Sequence, residues 1–203
     1  MIGIIDYGAS NLLSVKKALD YLGARNKNVS REDDMEDIEK IILPGVGAFE
    51  RAIQNLRSGG LYQRLRKWIE DNNPFLGICL GMQLLFEESE ESEGSGGLGI
   101  FKGKVVQFKN QKIPQIGWNR VRIERASQLV AGIPTDSYFY FLHGYYVEAE
   151  VKSLLIGTTE YGVVYPSIIE RGNISAVQFH PEKSGDLGLE FLKNWVNSCW
   201  QKE

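Results

Sequence analysis

The pentapeptide Gly77-Ile78-Cys79-Leu80-Gly81 constrains this chain more than any other stretch. A short apolar segment with strand character, residues 74–76, comes before it, and good helix formers occupy residues 82–88 after it. The sequence therefore predicts a strand that enters a helix through a sharp turn with a cysteine at its centre. Because the two glycines lack a Cβ, the backbone can turn tightly and neighbouring elements can approach the cysteine. This is the pattern of a nucleophile elbow, with sulfur in place of oxygen.

Two interpretations of Cys79 are open at this point. A lone cysteine at the end of a strand is commonly a small, buried apolar residue. At a helix N-terminus, however, the helix dipole favours the thiolate, which is the nucleophilic form. The catalytic interpretation also requires a base, a group that orients the base, and hydrogen-bond donors for an oxyanion.

The order of predicted elements favours an α/β fold. Up to about residue 100, strand-like runs alternate with amphipathic helices, which is typical of a parallel sheet covered on both faces. Later strands have little helix between them, and a helix at 187–195 closes the chain. We expect a three-layer fold: an open, mostly parallel sheet flanked by helices, with an additional antiparallel sheet. No linker divides the chain, so a single domain over residues 1–203 is expected.

Local patterns add three expectations about the connections between these elements. Ser10 or Asn11 is a candidate cap for the first helix, and Ser184 is a candidate cap for the closing one. The acidic segment 87–93, followed by glycines and a serine, predicts an exposed loop.

Composition excludes several classes of function. The chain has 203 residues, of which 43% are hydrophobic, and this fits a globular protein with a sizeable core. A net charge of −3 provides no basic surface of the kind that binds nucleic acid or an anionic membrane. Cys79 and Cys199 make no disulfide framework, and no leader pattern opens the sequence, so we expect a cytoplasmic protein. No residue cluster has metal-ligand spacing, so neither a metal nor a cofactor is expected.

Only two histidines are available as the base. His180 ends the apolar strand 174–179, and catalytic groups of a parallel sheet collect beyond such strand ends, where Cys79 also lies. His180 can take the thiol proton and return it to a leaving amine, while Glu182 can hold its tautomer as the third member of a triad. A structural histidine is the alternative interpretation of His180. His143, the other histidine, lies in the segment 141–145.

The loop at residues 44–49, Pro-Gly-Val-Gly-Ala-Phe, is a candidate source of hydrogen-bond donors for the oxyanion. A strand that runs into a loop with two glycines exposes N–H groups that can bind an anion. We expect one donor to be the N–H of Leu80 and the other to be the N–H of Val46 or Gly47. Because a peptide beside a glycine can rotate, a flip at Gly45-Val46 is a hypothesis for switching the site. A tight structural turn is the alternative.

Two segments carry a family resemblance. Gly77-Ile78-Cys79-Leu80-Gly81-Met82-Gln83 and Gln178-Phe179-His180-Pro181-Glu182 resemble the class I, triad-type glutamine amidotransferases. Further segments, in order along the chain, resemble the glutaminase subunit of imidazole glycerol phosphate synthase: residues 5–8, 11–12, 14–15, 43–49, 97–99, 114–119 and 180–184. The resemblance covers essentially the whole chain.

The resemblance implies that glutamine is hydrolysed to glutamate and ammonia. The ammonia would pass through a tunnel in a cyclase partner, a (β/α)₈ barrel, where it completes imidazole glycerol phosphate and releases aminoimidazole carboxamide ribotide. When the family's motif positions are matched to this sequence, the resemblance implies that Cys79 is the nucleophile, His180 the base and Glu182 the carboxylate that orients the base. The other positions carried over are substrate contacts at Gly47, Gln83 and Tyr145, and a partner interface at Asn11, Trp118 and Lys183.

Two positions depart from the family pattern, and three alternatives remain open. Ser10 stands where glycine is usual, and Gly144 stands where a small hydroxyl residue can contact glutamine, so affinity would depend more on Gln83. Trp118 can instead be a core residue. The same chemistry can serve a synthetase that modifies surface sugars. A catalytically silent regulatory subunit is an alternative of another class, against which the intact triad argues.

Overall fold

The computed structural model describes residues 1–8, 11–92, 94, 96–148 and 152–198. Ser10 and Cys199 lie outside these ranges. The helices are α1 (Leu12–Tyr21), α2 (Phe49–Ser58), α3 (Leu61–Glu70), α4 (Leu80–Gln83) and α5 (Gly185–Asn197). The strands are β1 (Ile2–Ile5), β2 (Asn26–Val29), β3 (Lys40–Gly45), β4 (Phe75–Cys79), β5 (Phe86–Ser89), β6 (Phe101–Gln107), β7 (Gln115–Ile123), β8 (Ser137–His143), β9 (Tyr145–Glu148), β10 (Leu155–Glu160), β11 (Val164–Arg171) and β12 (Ile174–Val177). No helix in the described ranges is both long enough and apolar enough to cross a lipid bilayer.

Nine strands form the main sheet, in the order β2-β1-β3-β4-β12-β11-β10-β7-β8. The strands from β2 to β12 are parallel, and those from β11 to β8 continue the sheet in antiparallel pairs. The C-terminal ends of the parallel strands share one edge, where Gly45 of β3 and Cys79 of β4 are register partners. This edge is the one at which the sequence predicted a site.

The second sheet contains β5, β6 and β9. Its β5–β6 pair is parallel and its β6–β9 pair is antiparallel, so it is a mixed sheet. The predicted α/β class is confirmed. The structure refines it, because most of the later antiparallel strands extend the main sheet and do not form a separate one.

Helices cover both faces of the main sheet because its strands send alternate side chains into two cores. Ile41 and Leu43 of β3 pack on one side with the apolar faces of α2 and α3. Ile42, which lies between them, packs on the other side with α1 and α5. This produces the three layers that the sequence predicted.

The segment after the elbow differs from its prediction. The helix ends at Gln83, and residues 86–89 form β5, so neither a continued helix nor an exposed loop at 87–89 is correct. The returning chain explains the difference, since Leu98 N–H donates to Leu84 O at 2.7 Å and Ile100 N–H donates to Leu85 O at 2.9 Å. These bonds hold the segment extended, and Phe86 is buried there. Tertiary pairing therefore overrides the local helix propensity.

Candidate active site

Cys79 lies at a strained turn between β4 and α4. Its backbone has φ 54° and ψ −108°, a region that non-glycine residues rarely occupy. A Cβ on Gly77 would lie 2.6 Å from the Gly81 carbonyl oxygen, and a Cβ on Gly81 would lie 1.8 Å from the Leu43 carbonyl oxygen. The elbow therefore needs both glycines, as the sequence predicted. Because α4 has only 4 residues, its dipole acts on the sulfur less than a longer helix would.

Among the described residues, one hydrogen-bond donor and one acceptor lie next to the Cys79 sulfur. The Gln178 Nε2 donates to Sγ at 3.6 Å, and the thiol donates a hydrogen bond to the Leu142 carbonyl oxygen, 3.6 Å from Sγ. The residue is buried, with 4% of its surface exposed. The buried sulfur therefore has a hydrogen-bond donor and an acceptor within reach.

His180 and Glu182 form a buried pair beside the elbow. The His180 Nδ1 lies 2.8 Å from Glu182 Oε1, and both side chains are inaccessible to solvent. Burial opposes the charged imidazole, but the negative sulfur of Cys79 and the Glu182 carboxylate outweigh it and raise the pKa of His180 to about 10. Its Nε2 is buried and has no hydrogen-bond partner among the described residues. The ring is therefore held from one side, leaving Nε2 for proton transfer.

His143 has a different environment and lacks a carboxylate partner in the described part of the chain. Its Nδ1 lies 2.7 Å from the Tyr145 carbonyl oxygen, and its Nε2 lies 3.4 Å from the Tyr165 hydroxyl. Burial among aromatic rings lowers the pKa of His143 to about 4, despite the opposing effect of the backbone carbonyl. His143 is neutral at pH 7, with Nδ1–H as the donor.

A cleft of about 460 Å³ opens beside the sulfur. It brings together the predicted nucleophile, the predicted oxyanion donors and the predicted substrate contacts. Gly47 has φ +102°, which suits glycine, and the hydroxyl of Tyr7 anchors the base of the same loop by donating to Pro44 O at 3.1 Å. The lining residues are Val46, Gly47, Ala48, Cys79, Leu80, Gln83, Glu91, Leu142, His143, Gly144 and Tyr145.

Two lining residues expose specific polar groups. Gln83 Nε2 donates to Tyr145 O at 2.9 Å and to Gln178 Oε1 at 3.1 Å, which leaves its Oε1 available to a ligand. Glu91 brings a carboxylate to the cleft, and its Oε2 also accepts from the Phe49 N–H at the start of α2 at 2.9 Å. Sequence reasoning missed Glu91 because nothing in an acidic run distinguishes one carboxylate from its neighbours. It also assigned no role to Gln178.

The three predicted interface residues lie around the His180–Glu182 segment. Asn11, with φ 88°, occupies the N-cap position of α1 but donates its side-chain amide to Glu182 Oε1 and makes no cap bond. Lys183 is exposed next to Glu182. Trp118 is 56% exposed, so the core interpretation is wrong, and its ring contacts that of Tyr140.

Ser184 also departs from its predicted capping role. Its hydroxyl donates to the His180 carbonyl oxygen at 2.7 Å and accepts from the Tyr140 N–H at 2.9 Å, while making no side-chain cap bond to α5. The His180 N–H in turn donates to the Tyr140 carbonyl oxygen at 2.9 Å. These bonds fix the histidine segment against β8, the strand that contacts Trp118.

Comparison with known proteins gives a consistent result. A family model described as "Glutamine amidotransferase class-I" matches residues 3–199. The chain is 49% identical to the imidazole glycerol phosphate synthase subunit HisH of Methanocaldococcus jannaschii, over 97% of this chain and 98% of that protein. It is also 49% identical to the subunit of that name from Caldanaerobacter subterraneus subsp. tengcongensis, over 96% and 97%. A solved structure of PurLQS from Thermotoga maritima shares the fold, with a TM-score of 0.78, 20% identity and 97% of each chain covered.

Proposed function

The chain belongs to the class-I glutamine amidotransferase family and, within it, to the HisH subunits of imidazole glycerol phosphate synthase, and we propose that it hydrolyses glutamine and supplies the ammonia to a partner subunit in histidine biosynthesis. The observation that carries this proposal is the buried His180–Glu182 pair beside Cys79, whose sulfur opens onto a cleft lined by Gln83. We propose that the reaction takes place in the cytoplasm.

In the first half-reaction the Cys79 thiolate attacks the side-chain carbonyl carbon of glutamine. The new C–S bond produces an oxyanion, and His180, protonated at neutral pH because its pKa is about 10, gives a proton to the departing nitrogen. Ammonia leaves and a thioester to Cys79 remains. His180, now neutral, takes a proton from water, which attacks the thioester and releases glutamate. Glu182 stabilises the imidazolium throughout and keeps Nε2 directed at the reacting atoms.

The oxyanion requires donors beside the sulfur. The N–H of Leu80 follows the nucleophile, and the N–H of Val46 or Gly47 lies in the loop that lines the same cleft. Gly45 has no room for a Cβ, which would lie 2.3 Å from the Tyr7 hydroxyl and 2.9 Å from Leu80 Cβ. A rotation of the Gly45-Val46 peptide would present or withdraw a donor without moving any side chain, and we propose it as the switch.

Recognition of glutamine uses charges and amides at the cleft wall. Gln83 offers Oε1 as an acceptor, and the Glu91 carboxylate suits the α-ammonium group of an amino acid. Tyr145 contributes its carbonyl oxygen as the anchor of Gln83. Gly47 and Gly144 contribute backbone alone.

The partner in this proposal is a cyclase with a (β/α)₈ barrel, bound at Asn11, Trp118 and Lys183. The exposed Trp118 and the link from Asn11 to Glu182 support this surface. A partner that fixes the position of the Asn11 side chain would affect the triad through the single hydrogen bond from Asn11 to Glu182. No nucleic acid or membrane takes part.

Glutamate release by the purified chain, alone and then with a cyclase barrel and its ribulosyl phosphate ligand, tests this function. Low release alone and a large rise in the ternary mixture are expected. Cys79→Ala is the matched control and should abolish release while partner binding persists. No rise with the cyclase, in a folded chain, would transfer the proposal to a sugar-modifying synthetase. No release under any condition would support a silent regulatory subunit.

A further inference from the structure

Gln178 lies beside the nucleophile in the sheet. It follows β12, whose Val177 is the register partner of Ile78 in β4, so Gln178 is level with Cys79. The residue is wholly buried, and its backbone N–H donates to the Ser167 carbonyl oxygen at 3.0 Å. A wholly buried amide side chain is costly unless its hydrogen bonds are made, so these contacts define its role.

A backbone carbonyl determines which end of the Gln178 amide faces the sulfur. The Tyr145 carbonyl oxygen can only accept, so Gln83 must direct its Nε2 there, at 2.9 Å. The same Nε2 lies 3.1 Å from Gln178, which must therefore present Oε1 to it. The opposite end of the Gln178 amide, Nε2, is then the group that lies 3.6 Å from Cys79 Sγ. The sulfur thus receives an N–H donor.

We propose that Gln178 is a catalytic residue that donates its side-chain N–H to the Cys79 thiolate and aims the sulfur, while its oxygen fixes the amide of the substrate contact Gln83. This proposal rests on the proposed function for its place in turnover. The contact with the sulfur stands by itself, because thiolate formation can be measured without glutamine or a partner.

The inference is tested by the rate at which iodoacetamide alkylates Cys79, followed by mass spectrometry of the Cys79 peptide across pH in the full chain. In Gln178→Met, which keeps the volume and removes the donor, alkylation at pH 7 should slow about ten-fold, the effect of one hydrogen bond to a charged group. The difference between the two rates should narrow as the pH rises, because hydroxide then removes the thiol proton in either chain. Gln178→Glu places a carboxylate near the sulfur and should slow alkylation further.

Ser175→Ala is the matched control, since Ser175 lies on β12, is wholly buried and its hydroxyl has no hydrogen-bond partner among the described residues. Cys79 in this variant should be alkylated at the same rate as in the unmodified chain. This result would show that a substitution in β12 does not by itself change the alkylation rate. Circular dichroism checks folding, and Gln178→Glu decides the matter if Gln178→Met unfolds. Alkylation profiles of folded Gln178 variants that superimpose on that of Ser175→Ala would overturn the proposal. An unmodified chain without glutaminase activity would overturn the proposed function, while the alkylation comparison would still decide the contact.

Discussion

The His180 pocket and the His143 pocket are both buried, yet they hold histidine in opposite charge states. His143 is the last residue of β8, and His180 follows β12 in the same main sheet. His180 has a carboxylate and a sulfur beside it, and its pKa rises to about 10. His143 has aromatic rings, one carbonyl oxygen and a tyrosine hydroxyl, and its pKa falls to about 4. Burial alone therefore does not decide the charge of a histidine, because a negative partner can reverse its effect. In the proposed mechanism His180 is the group for proton transfer, and His143 is structural.

The same substitution at both histidines gives the largest expected contrast. Asparagine in place of His180 removes Nε2 and should lower partner-stimulated glutamine hydrolysis about 10³-fold or more, the range of a lost general acid and base. His143→Asn keeps a donor for the Tyr145 carbonyl oxygen and should cost less than about ten-fold, because His143 takes no part in proton transfer. Equal losses of activity for the two variants in a steady-state glutamate assay would contradict the different roles assigned to the two histidines.

Glu182→Gln tests what makes the His180 pocket different. The amide keeps the size of the side chain and removes the charge that stabilises imidazolium, so kcat should fall roughly 10²–10³-fold with little change in KM. The pKa of His180, followed by NMR of the ring, should fall in the same variant. An unchanged rate would reduce Glu182 to a structural turn residue.

The His143 pocket should make the fold sensitive to acid. The unfolded chain binds a proton at His143 below about pH 6.5, whereas the folded chain binds it only below about pH 4. The free energy of unfolding therefore falls as the pH decreases through this window. The loss is about 3 kcal/mol once pH 4 is reached. Urea unfolding at pH 7.5 and 4.5 measures this loss, and His143→Asn should lose less stability between these two pH values.

His180 contributes to stability with the opposite sign. Its raised pKa stabilises the fold below about pH 6.5, and that contribution is lost as the pH rises through about 10.

Asn11→Ala should have the smallest effect. It removes a donor to the Glu182 oxygen that also contacts His180, so kcat should fall several-fold, up to about ten-fold, with no change in the stability of the main sheet. Asn28→Ala, at an exposed position on β2, is the control and should leave kcat unchanged. A fall in partner affinity without a fall in kcat would limit Asn11 to the interface.

Patterns that are local in sequence predicted much of this molecule. The elbow strand, both of its glycines and the strand before His180 follow from apolar runs and turn residues, and the structure has them. The strand before His180 is shorter than predicted, because β12 ends at Val177 and not at residue 179. The roles of the triad, the oxyanion donors and the interface residues remain predictions, as does the single domain.

Contacts between segments that are distant in sequence limit how much of the structure can be predicted from local patterns. The returning chain at 97–101 binds the carbonyls of Leu84 and Leu85, so the helix after the elbow stops early. Glu91 reaches the cleft from an acidic run, and Gln178 meets Cys79 across 99 residues of sequence. No periodicity or spacing reports such pairings, because they depend on which strands become neighbours.

The approach of Gly81 to the Leu43 carbonyl has a consequence for anyone redesigning this enzyme. A Cβ there would lie 1.8 Å from that oxygen, so position 81 must stay glycine wherever β3 lies beside the elbow. A graft that keeps both this close approach and the glycine loop after β3 therefore has to carry β3 and β4 together.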